Sequence, residues 1–507
     1  MTAHHPTAVI ILAAGEGTRM KSRTPKVLHS IGGRTLLGHA MHAARAASPQ
    51  HLAVVVRHER DLVAAHIADL DPSALVADQD ETKGTGRACE CGLDVLPTDL
   101  SGTVLVTMGD VPLLTGQTLT ELTQRHESSG AAVTVITAEL PDAKAYGRVV
   151  RDEQGDVVQI MEYKDALAHR EAGDHYRHVV DVREINSGIY AFDAAVLRAA
   201  LQEVGVDNAQ GEKYLTDVIG IARRDGLKVS ALLIDDLWQT EGVNDRAQLA
   251  FLGKELNRRT VDQWMRAGVT VVDPDTTWID ADVSIGSDTV IRPGTQLLGA
   301  TTIGVDAVIG PDTTLADTEV GDGASVVRTQ ADTALIGPGA TVGPFSYLRP
   351  GTELGAKGKI GGFVETKNAQ IGAGAKVPHL TYCGDATIGE GANIGAGTIF
   401  ANFDGVHKFH TTVGRHSFIG SDSVLVAPVD IADGAYVAAG SAVVGNVEAG
   451  QIAVARGRQR NVDGWVARRR AGTSTAAAAE QALAAAADAA HAPPSAATDS
   501  TPPRSAQ

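Results

Sequence analysis

The sequence predicts an N-terminal doubly wound α/β domain, a long connecting helix, a C-terminal parallel β-helix and a tail that builds no core. Three observations predict it. Short apolar runs alternate with helical stretches as far as about residue 240, the pattern of a parallel sheet covered by helices. Val413, Ile419, Leu425, Ile431, Val437 and Val443 then fall on a strict six-residue step. A helix repeats at about 3.6 and a strand at about 2, so a step of six marks an internal repeat. After Arg470 the chain turns rich in Ala, Pro, Ser and Thr, and such a segment buries too little to offset its ordering entropy.

In order, residues 8–12 (Ala-Val-Ile-Ile-Leu) read as a buried parallel strand. A glycine-bearing loop covers 13–20, Pro25-Lys26 follows, and 35–47 has a helical pattern. Strand-like runs recur at 53–56, 104–108 and 132–136, between helical stretches at 59–69, 85–94 and 116–129. From Asp245 to Ala267, Leu249, Leu252 and Leu256 keep helical spacing, and Gly268 is a C-terminal stop. Hexads begin near Asp273 and run to about residue 455, with Ile303-Gly304 and Ile309-Gly310, Ile336-Gly337 and Val342-Gly343, and Ile388-Gly389 and Ile394-Gly395 in step. Each hexad gives a short flat strand with an inward aliphatic residue, and the small residue after it permits a tight corner. At 18 residues per three-sided coil this makes about ten coils. The expected boundaries are 1–243, 244–270 for the linker helix, 271–470 for the β-helix and 471–507 for a disordered tail, in which 476–491 has the composition of a transient helix.

Composition narrows the function. Aromatics are only 4% and glycines number 55, which suits a narrow aliphatic solenoid core. A net charge of −17 argues against non-specific nucleic-acid or membrane binding and restricts anionic substrates to local basic clusters. Cys89, Cys91 and Cys383 form no C-x-x-C pair and read as reduced thiols of a cytoplasmic protein. No run approaches 18 apolar residues, and the N-terminus lacks the basic and apolar regions of a signal peptide.

Gly15-x-Gly17 after a first strand can cradle phosphates, because glycine lets backbone N–H groups approach and a following helix adds its positive end. Alone it fits a plain turn equally well. Arg19 and Lys26 extend it, and two cations there can neutralise a triphosphate. No Gly-Lys-Ser/Thr follows, so this is not a Walker A loop, and the third glycine of a dinucleotide fingerprint is missing. Asp110 follows the run 104–108 at the rim where α/β sheets bind ligands, and its carboxylate suits Mg²⁺ or the capping of a turn. In the hexads, Arg349 and Lys367 precede His379 by about one or two coils. Residues about 18 apart become vertical neighbours, so two cations and a histidine can share one face, the cations binding a sugar phosphate and the histidine taking a proton near neutral pH. Separately, each cation reads as a solvated rim residue and the histidine as structural.

Taken together, the motifs are more specific. Leu12-Ala13-Ala14-Gly15-x-Gly17-Thr18-Arg19-Met20 with Pro25-Lys26-Val27-Leu28 resembles the sugar-1-phosphate nucleotidyltransferase signature. With Gln79, Gly84-Thr85-Gly86, Gly109-Asp110, Tyr146-Gly147-Arg148, Glu162-x-Lys164-Asp165, Glu184-Ile185-Asn186-x-Gly188-Ile189, Glu241-Gly242-Val243-Asn244 and the hexads, residues 8 to about 465 resemble the bacterial family of bifunctional N-acetylglucosamine-1-phosphate uridyltransferase / glucosamine-1-phosphate N-acetyltransferases.

The resemblance implies that Asp110 and Asn244 hold Mg²⁺ and that Arg19 and Lys26 contact phosphates. It implies that Leu12, Ala13, Ala14 and Gly15, with Gln79, Gly84 and Thr85, select the uracil of UTP. Gly147, Glu162, Asn186 and Asn244 would hold N-acetylglucosamine-1-phosphate and the ribose. In the C-terminal half it implies Arg349, Lys367, Tyr382 and Asn393 as the glucosamine-1-phosphate site, with His379 as general base. Asn402 would orient the amine or the histidine, the Ala396 N–H would stabilise the oxyanion, and Ser421, Ala439 and Arg456 would contact acetyl-CoA. A left-handed coil and a homotrimer are also implied, whereas parallel crossovers are otherwise almost always right-handed.

Four departures from the family pattern stand out. Thr82 replaces a Gln and Arg87 a His in the uracil loop, and Met108 stands where Tyr is usual before Gly-Asp. Phe403, in Asn402-Phe403-Asp404-Gly405, replaces a Tyr beside the expected acetyl site. That substitution leaves open an alternative, a monofunctional nucleotidyltransferase whose β-helix only assembles the oligomer.

Overall fold

The computed structural model describes residues 4–143, 146–206 and 211–491. Its described residues form two compact units that meet at Val454 in sequence.

The first unit opens on Ala8–Leu12, five buried residues at the centre of a nine-stranded sheet. An all-apolar strand needs cover on both faces, and it has it. One face packs with the helix Thr85–Asp94, the other with Leu36–Ala46 and Gly116–Ser129. Ala8–Leu12 pairs in parallel with His51–Val56 and with Thr103–Met108. The sheet is nevertheless mixed: Glu184–Asp193 runs antiparallel between Thr103–Met108 and Val133–Glu139. The alternation of runs in the sequence gave no sign of this reversal, since direction depends on the crossover and not on the strand's own residues.

The helix Arg246–Arg266 joins the sheet to the solenoid. Asp245 caps it, its side chain accepting from the Gln248 N–H at 2.8 Å, a contact worth about 1 kcal/mol. The first half buries Leu252 against Met20, Ile31, Leu36 and Val243, and the second half packs Val261 into the solenoid core. Asn257 fastens it further, its side chain donating to the Thr277 carbonyl at 2.8 Å and accepting from the Ile279 N–H at 2.9 Å.

From Thr270 to Ala453 short parallel strands stack coil upon coil. One face is an 11-stranded sheet, and the other two share a 17-stranded network. The six-residue aliphatic step is the core: Val413, Ile419, Leu425, Ile431, Val437 and Val443 are all buried. Where a glycine follows the inward residue, as at Gly414 and Gly420, it serves the stack as well as the corner. A Cβ on Gly420 would stand 2.4 Å from the Ala439 nitrogen of the next coil. Asn393 pairs with Phe418, so the regular step lengthens across residues 400–411.

The second unit, from Val454, contains the helices Trp465–Arg469 and Ser474–His491. The stretch expected to lack fixed structure thus includes a helix, consistent with its alanine content. Residues 492–507 of the expected tail lie outside the described residues. Among the described residues, no helix is long and apolar enough to cross a membrane.

Candidate active sites

The sheet's C-terminal strand ends open into a cleft of about 700 Å³ lined by Leu12, Ala13, Ala14, Gly15, Lys26, Gln79, Gly84, Thr85, Met108 and Asp110. These belong to three separate stretches of sequence, and the parallel register brings them together. Gly109 donates its N–H to the Leu12 carbonyl at 2.9 Å, which sets Asp110 beside the glycine loop. Gly17 is left-handed (φ 63°), and a Cβ there would stand 2.6 Å from the Lys26 Cβ. This close approach is why the loop needs glycine at 17. Thr18–Met20 is a single 3-10 turn, and the first α-helix begins only at Leu36. The expected helix dipole is therefore absent, and the loop offers backbone N–H groups and cations instead.

Lys26 forms an ion pair with Asp110. Arg19 donates to the Asn244 side-chain oxygen at 2.7 Å. The Val243 N–H donates to the Asp110 carbonyl at 3.0 Å, so Asn244 and Asp110 are held in one neighbourhood. One carboxylate and one amide oxygen fit Mg²⁺, which takes hard oxygen donors and keeps several waters. Gln79 spends its amide nitrogen inside its own loop, on the Thr82 carbonyl at 2.9 Å and the Gly84 carbonyl at 3.2 Å.

Gly147, Glu162 and Asn186 form an adjoining group. Asn186 donates its N–H to the Gly147 carbonyl at 2.9 Å, and a Cβ on Gly147 would lie 3.5 Å from a Glu162 carboxylate oxygen. Burial, reinforced by Asp165 and Asp217, pushes the Glu162 carboxyl above its usual range. Asn186 turns its side-chain oxygen inward, to the Gly188 N–H and the Tyr190 hydroxyl, at 3.0 and 2.9 Å.

On the solenoid, the Arg349 N–H donates to the Thr366 carbonyl, so Arg349 lies one coil from Lys367, and Lys367 pairs in turn with Gly384, two residues past Tyr382. Arg349 also contacts Glu365 at 3.0 Å. The Asn402 amide nitrogen donates to Asp385 at 2.5 Å and approaches the Tyr382 hydroxyl at 3.5 Å. His379 is exposed at a strand end and pairs with Gly362, and its carbonyl accepts from the Gly397 N–H at 3.2 Å. Asn393 lies on the same face as His379, one coil on, paired with Lys376 at the other end of the His379 strand. Ala396 accepts from the Asp422 N–H at 2.7 Å, and the Ser421 carbonyl accepts from Gly440 at 2.8 Å, which stacks Ala396, Ser421 and Ala439 along one edge. Phe403 is 58% exposed on the 400–411 loop, bridged to Lys408. Arg456 is an exposed residue of the second unit.

Two groups of residues escaped the sequence reading. Arg57, His58 and Glu59 line the N-terminal cleft just past the strand His51–Val56. The rule that α/β sheets bind ligands beyond strand C-termini is a signal that points to them. Lys408 joins Lys367 and Arg349: its charge and contact hold the Lys367 ammonium below the usual lysine range. Its one signal was its place in the loop that interrupts the hexads. Burial pushes Asp385 up, but hydrogen bonds from Asn368 and Asn402 and the charges of Lys367 and Lys408 outweigh it and hold its carboxyl low.

Comparison with known proteins agrees with this geometry. Residues 9–169 match the model of the MobA-like NTP transferase domain. The bifunctional protein GlmU of Pseudarthrobacter chlorophenolicus is 58% identical over 470 residues, covering 92% of this chain and 94% of the relative. That of Kineococcus radiotolerans is 58% identical over 468 residues, covering 92% and 93%, and that of Micrococcus luteus 56% over 476, covering 93% and 95%. With one cleft of nucleotidyltransferase pattern, one solenoid site and identity along nearly its whole length, the chain belongs to the GlmU family of bifunctional uridyltransferase/acetyltransferases of UDP-N-acetylglucosamine biosynthesis.

Proposed function

We propose that the N-terminal cleft, built within residues 1–243, transfers UMP from UTP to N-acetylglucosamine-1-phosphate, and that the solenoid, 271–470, first acetylates glucosamine-1-phosphate from acetyl-CoA. The observation that carries the reading is the convergence of Lys26, Asp110 and the 79–85 loop on one cleft.

In uridyl transfer, an oxygen of the sugar phosphate attacks the α-phosphorus of UTP. The bond to the β-phosphate breaks, and pyrophosphate leaves with the electron pair. The nucleophile is already ionised, so no protein base is required, and the work is positioning and charge neutralisation. Arg19 and Lys26 supply charge at the phosphates. The Gln79 amide nitrogen is engaged within its loop, which presents its oxygen to the uracil N3–H. Leu12–Gly15 (residues 12–15), Gly84 and Thr85 frame the base, and Gly147, Glu162, Asn186 and Asn244 hold sugar and ribose. Asp110 and Asn244 would hold Mg²⁺, which supplies further neutralisation of the triphosphate.

In acetyl transfer, Arg349, Lys367, Tyr382 and Asn393 bind glucosamine-1-phosphate. His379 takes a proton from the 2-ammonium, the freed amine attacks the thioester carbonyl, the carbon–sulfur bond breaks with its electron pair on sulfur, and the coenzyme A thiolate takes the second nitrogen proton to leave as the thiol. Asn402 orients the amine, the Ala396 N–H faces the developing oxyanion, and Phe403, Ser421 and Ala439 contact acetyl-CoA. The family resemblance implies a homotrimer, in which a neighbouring copy would cover the groove where His379, Ser421 and Ala439 are exposed. The setting is cytoplasmic, where UTP and acetyl-CoA are available.

Two assays test the reading. Acetyl-CoA with glucosamine-1-phosphate is followed by free thiol, and UTP with N-acetylglucosamine-1-phosphate by pyrophosphate. Both are expected to respond. Pyrophosphate without thiol release supports the reading in which the solenoid only assembles the oligomer, a role that Phe403 favours. Light scattering that returns a monomer overturns the trimer.

A further inference from the structure

The loop 79–86 supplies Gln79, Glu81, Lys83, Gly84 and Thr85 to the cleft. Besides its internal bonds from Gln79 and to Asp80, groups outside the loop hold its shape. The segment 211–216 lies against it: Lys213 donates its N–H to the Lys83 carbonyl at 2.9 Å and accepts at its own carbonyl from Gly86 at 2.8 Å, and Leu215 donates to the Thr85 hydroxyl at 3.1 Å. Gly84 has φ 115°, and a Cβ there would stand 2.2 Å from the Lys213 carbonyl oxygen, so the two backbones lie flush.

The side chain of Lys213 turns away from the cleft and meets Glu90 at 2.9 Å. Glu90 also receives Arg87 at 2.7 Å and Gln202 at 2.9 Å. Arg87 reaches back from there to Asp80, donating from Nη2 at 2.7 Å and from Nε at 3.1 Å. Asp80 accepts in addition from the Thr82 N–H at 3.0 Å. Two cations and two anions thus form a neutral chain that spans the loop's start, the helix Thr85–Asp94 and the 211–216 segment. Glu90 and Lys213 are 12% and 13% exposed at their side chains, so water screens that pair less than a surface pair, while Asp80 at the other end is 49% exposed. Arg87, Glu90 and Lys213 are not among the residues that line the cleft. The hydrogen bond from Arg87 is the main reason the Asp80 carboxyl is held at about 2.

We propose that Arg87, Glu90 and Lys213 are positioning residues for nucleobase recognition, an ion-pair clamp that fixes the 79–86 loop without touching the nucleotide. The inference rests on the reading of that loop as the uracil site. It gives Arg87, a departure from the family pattern, a partner set and a task. A loop held from both ends keeps Gln79 and the Gly84 backbone in register with the base. Loosening it weakens UTP binding and discrimination, while the phosphate and sugar contacts of Arg19, Lys26 and Asn186 stay in place.

The test uses the full-length protein with Lys213→Met, Glu90→Gln and the conservative Lys213→Arg. The clamp predicts that Lys213→Met and Glu90→Gln raise the KM for UTP about tenfold and narrow the preference for UTP over CTP. It predicts that kcat and the KM for N-acetylglucosamine-1-phosphate change less than about twofold, and that Lys213→Arg restores the parent values. Thermal melting and acetyl transfer confirm that each variant is folded. An unchanged KM for UTP and an unchanged UTP/CTP ratio in folded variants overturn the clamp. So does an equal loss for both nucleotides and for the sugar phosphate, which is the mark of a merely structural role. A parent enzyme that does not use UTP fails the underlying reading instead, so the two failures are distinguishable.

Discussion

Lys26 and Asp110 form an ion pair across the floor of the N-terminal cleft, although 84 residues separate them in sequence. The pair sets a carboxylate at the rim of the sheet and an ammonium where phosphates would enter. If Asp110 and Asn244 hold a divalent cation, it would neutralise the Asp110 carboxylate in place of Lys26 and leave the Lys26 ammonium for the triphosphate. Chelation of divalent cations is therefore expected to stop pyrophosphate release and to leave thiol release unchanged. Titrating Mg²⁺ back into chelated enzyme, with both assays run in parallel, checks this.

Phe403 presents an exposed ring where its family carries a phenol. One hydrogen bond to a charged group contributes roughly 1.5–3 kcal/mol. Phe403→Tyr is expected to raise kcat/KM for acetyl transfer by about tenfold or more, without altering uridyl transfer. Steady-state kinetics with acetyl-CoA as the varied substrate decide it.

Lys367 and Lys408 repel one another, and the first is held below the usual lysine range as a result. A phosphate dianion between them favours both charged forms. The KM for glucosamine-1-phosphate should accordingly rise on an alkaline limb that begins below that of an isolated lysine. Lys408→Met should move the limb upward while weakening binding. A pH profile of KM in parent and variant reads both effects.

His39 is buried beside the Ile31 carbonyl, to which its ring lies hydrogen-bonded at 2.9 Å, and burial lowers its pKa to about 4. The unfolded chain binds a proton near 6.5 and the folded chain does not, so stability is fully present above about pH 6.5 and falls as pH drops toward 4. The loss at pH 5 is about 2 kcal/mol from this residue. His39→Gln, which does not titrate, should melt with a smaller difference between pH 7.5 and pH 5. Thermal melts at the two values measure it.

Much of this molecule is written locally. The aliphatic run at 8–12 and the six-residue step at 413–443 each bury one class of side chain, so periodicity alone locates sheet and solenoid. The helix Arg246–Arg266 is legible for the same reason, from Leu249, Leu252 and Leu256 and from its Asp245 cap. What was not legible depends on contacts between distant residues. The strand Glu184–Asp193 mixes Asn186, Ser187 and Gly188 with apolar residues, and none of these sets its antiparallel direction. Lys408 is one cation among many until the 400–411 loop brings it to Lys367. Arg87 looked like a possible change in base recognition, and only its distance to Asp80 and Glu90 shows that it faces away from the cleft. Gly17 is required by the close approach of Lys26 and not by a following helix, a contact that the loop's own residues do not announce.

Two independent sites on one chain are proposed to carry the two reactions, and the pair of assays applied to Asp110→Ala and His379→Ala separates them. Asp110→Ala is expected to lose pyrophosphate release by at least about a hundredfold and to keep thiol release near the parent rate, and His379→Ala to do the reverse. Parallel loss of both activities in either variant, with the protein still folded, would contradict it.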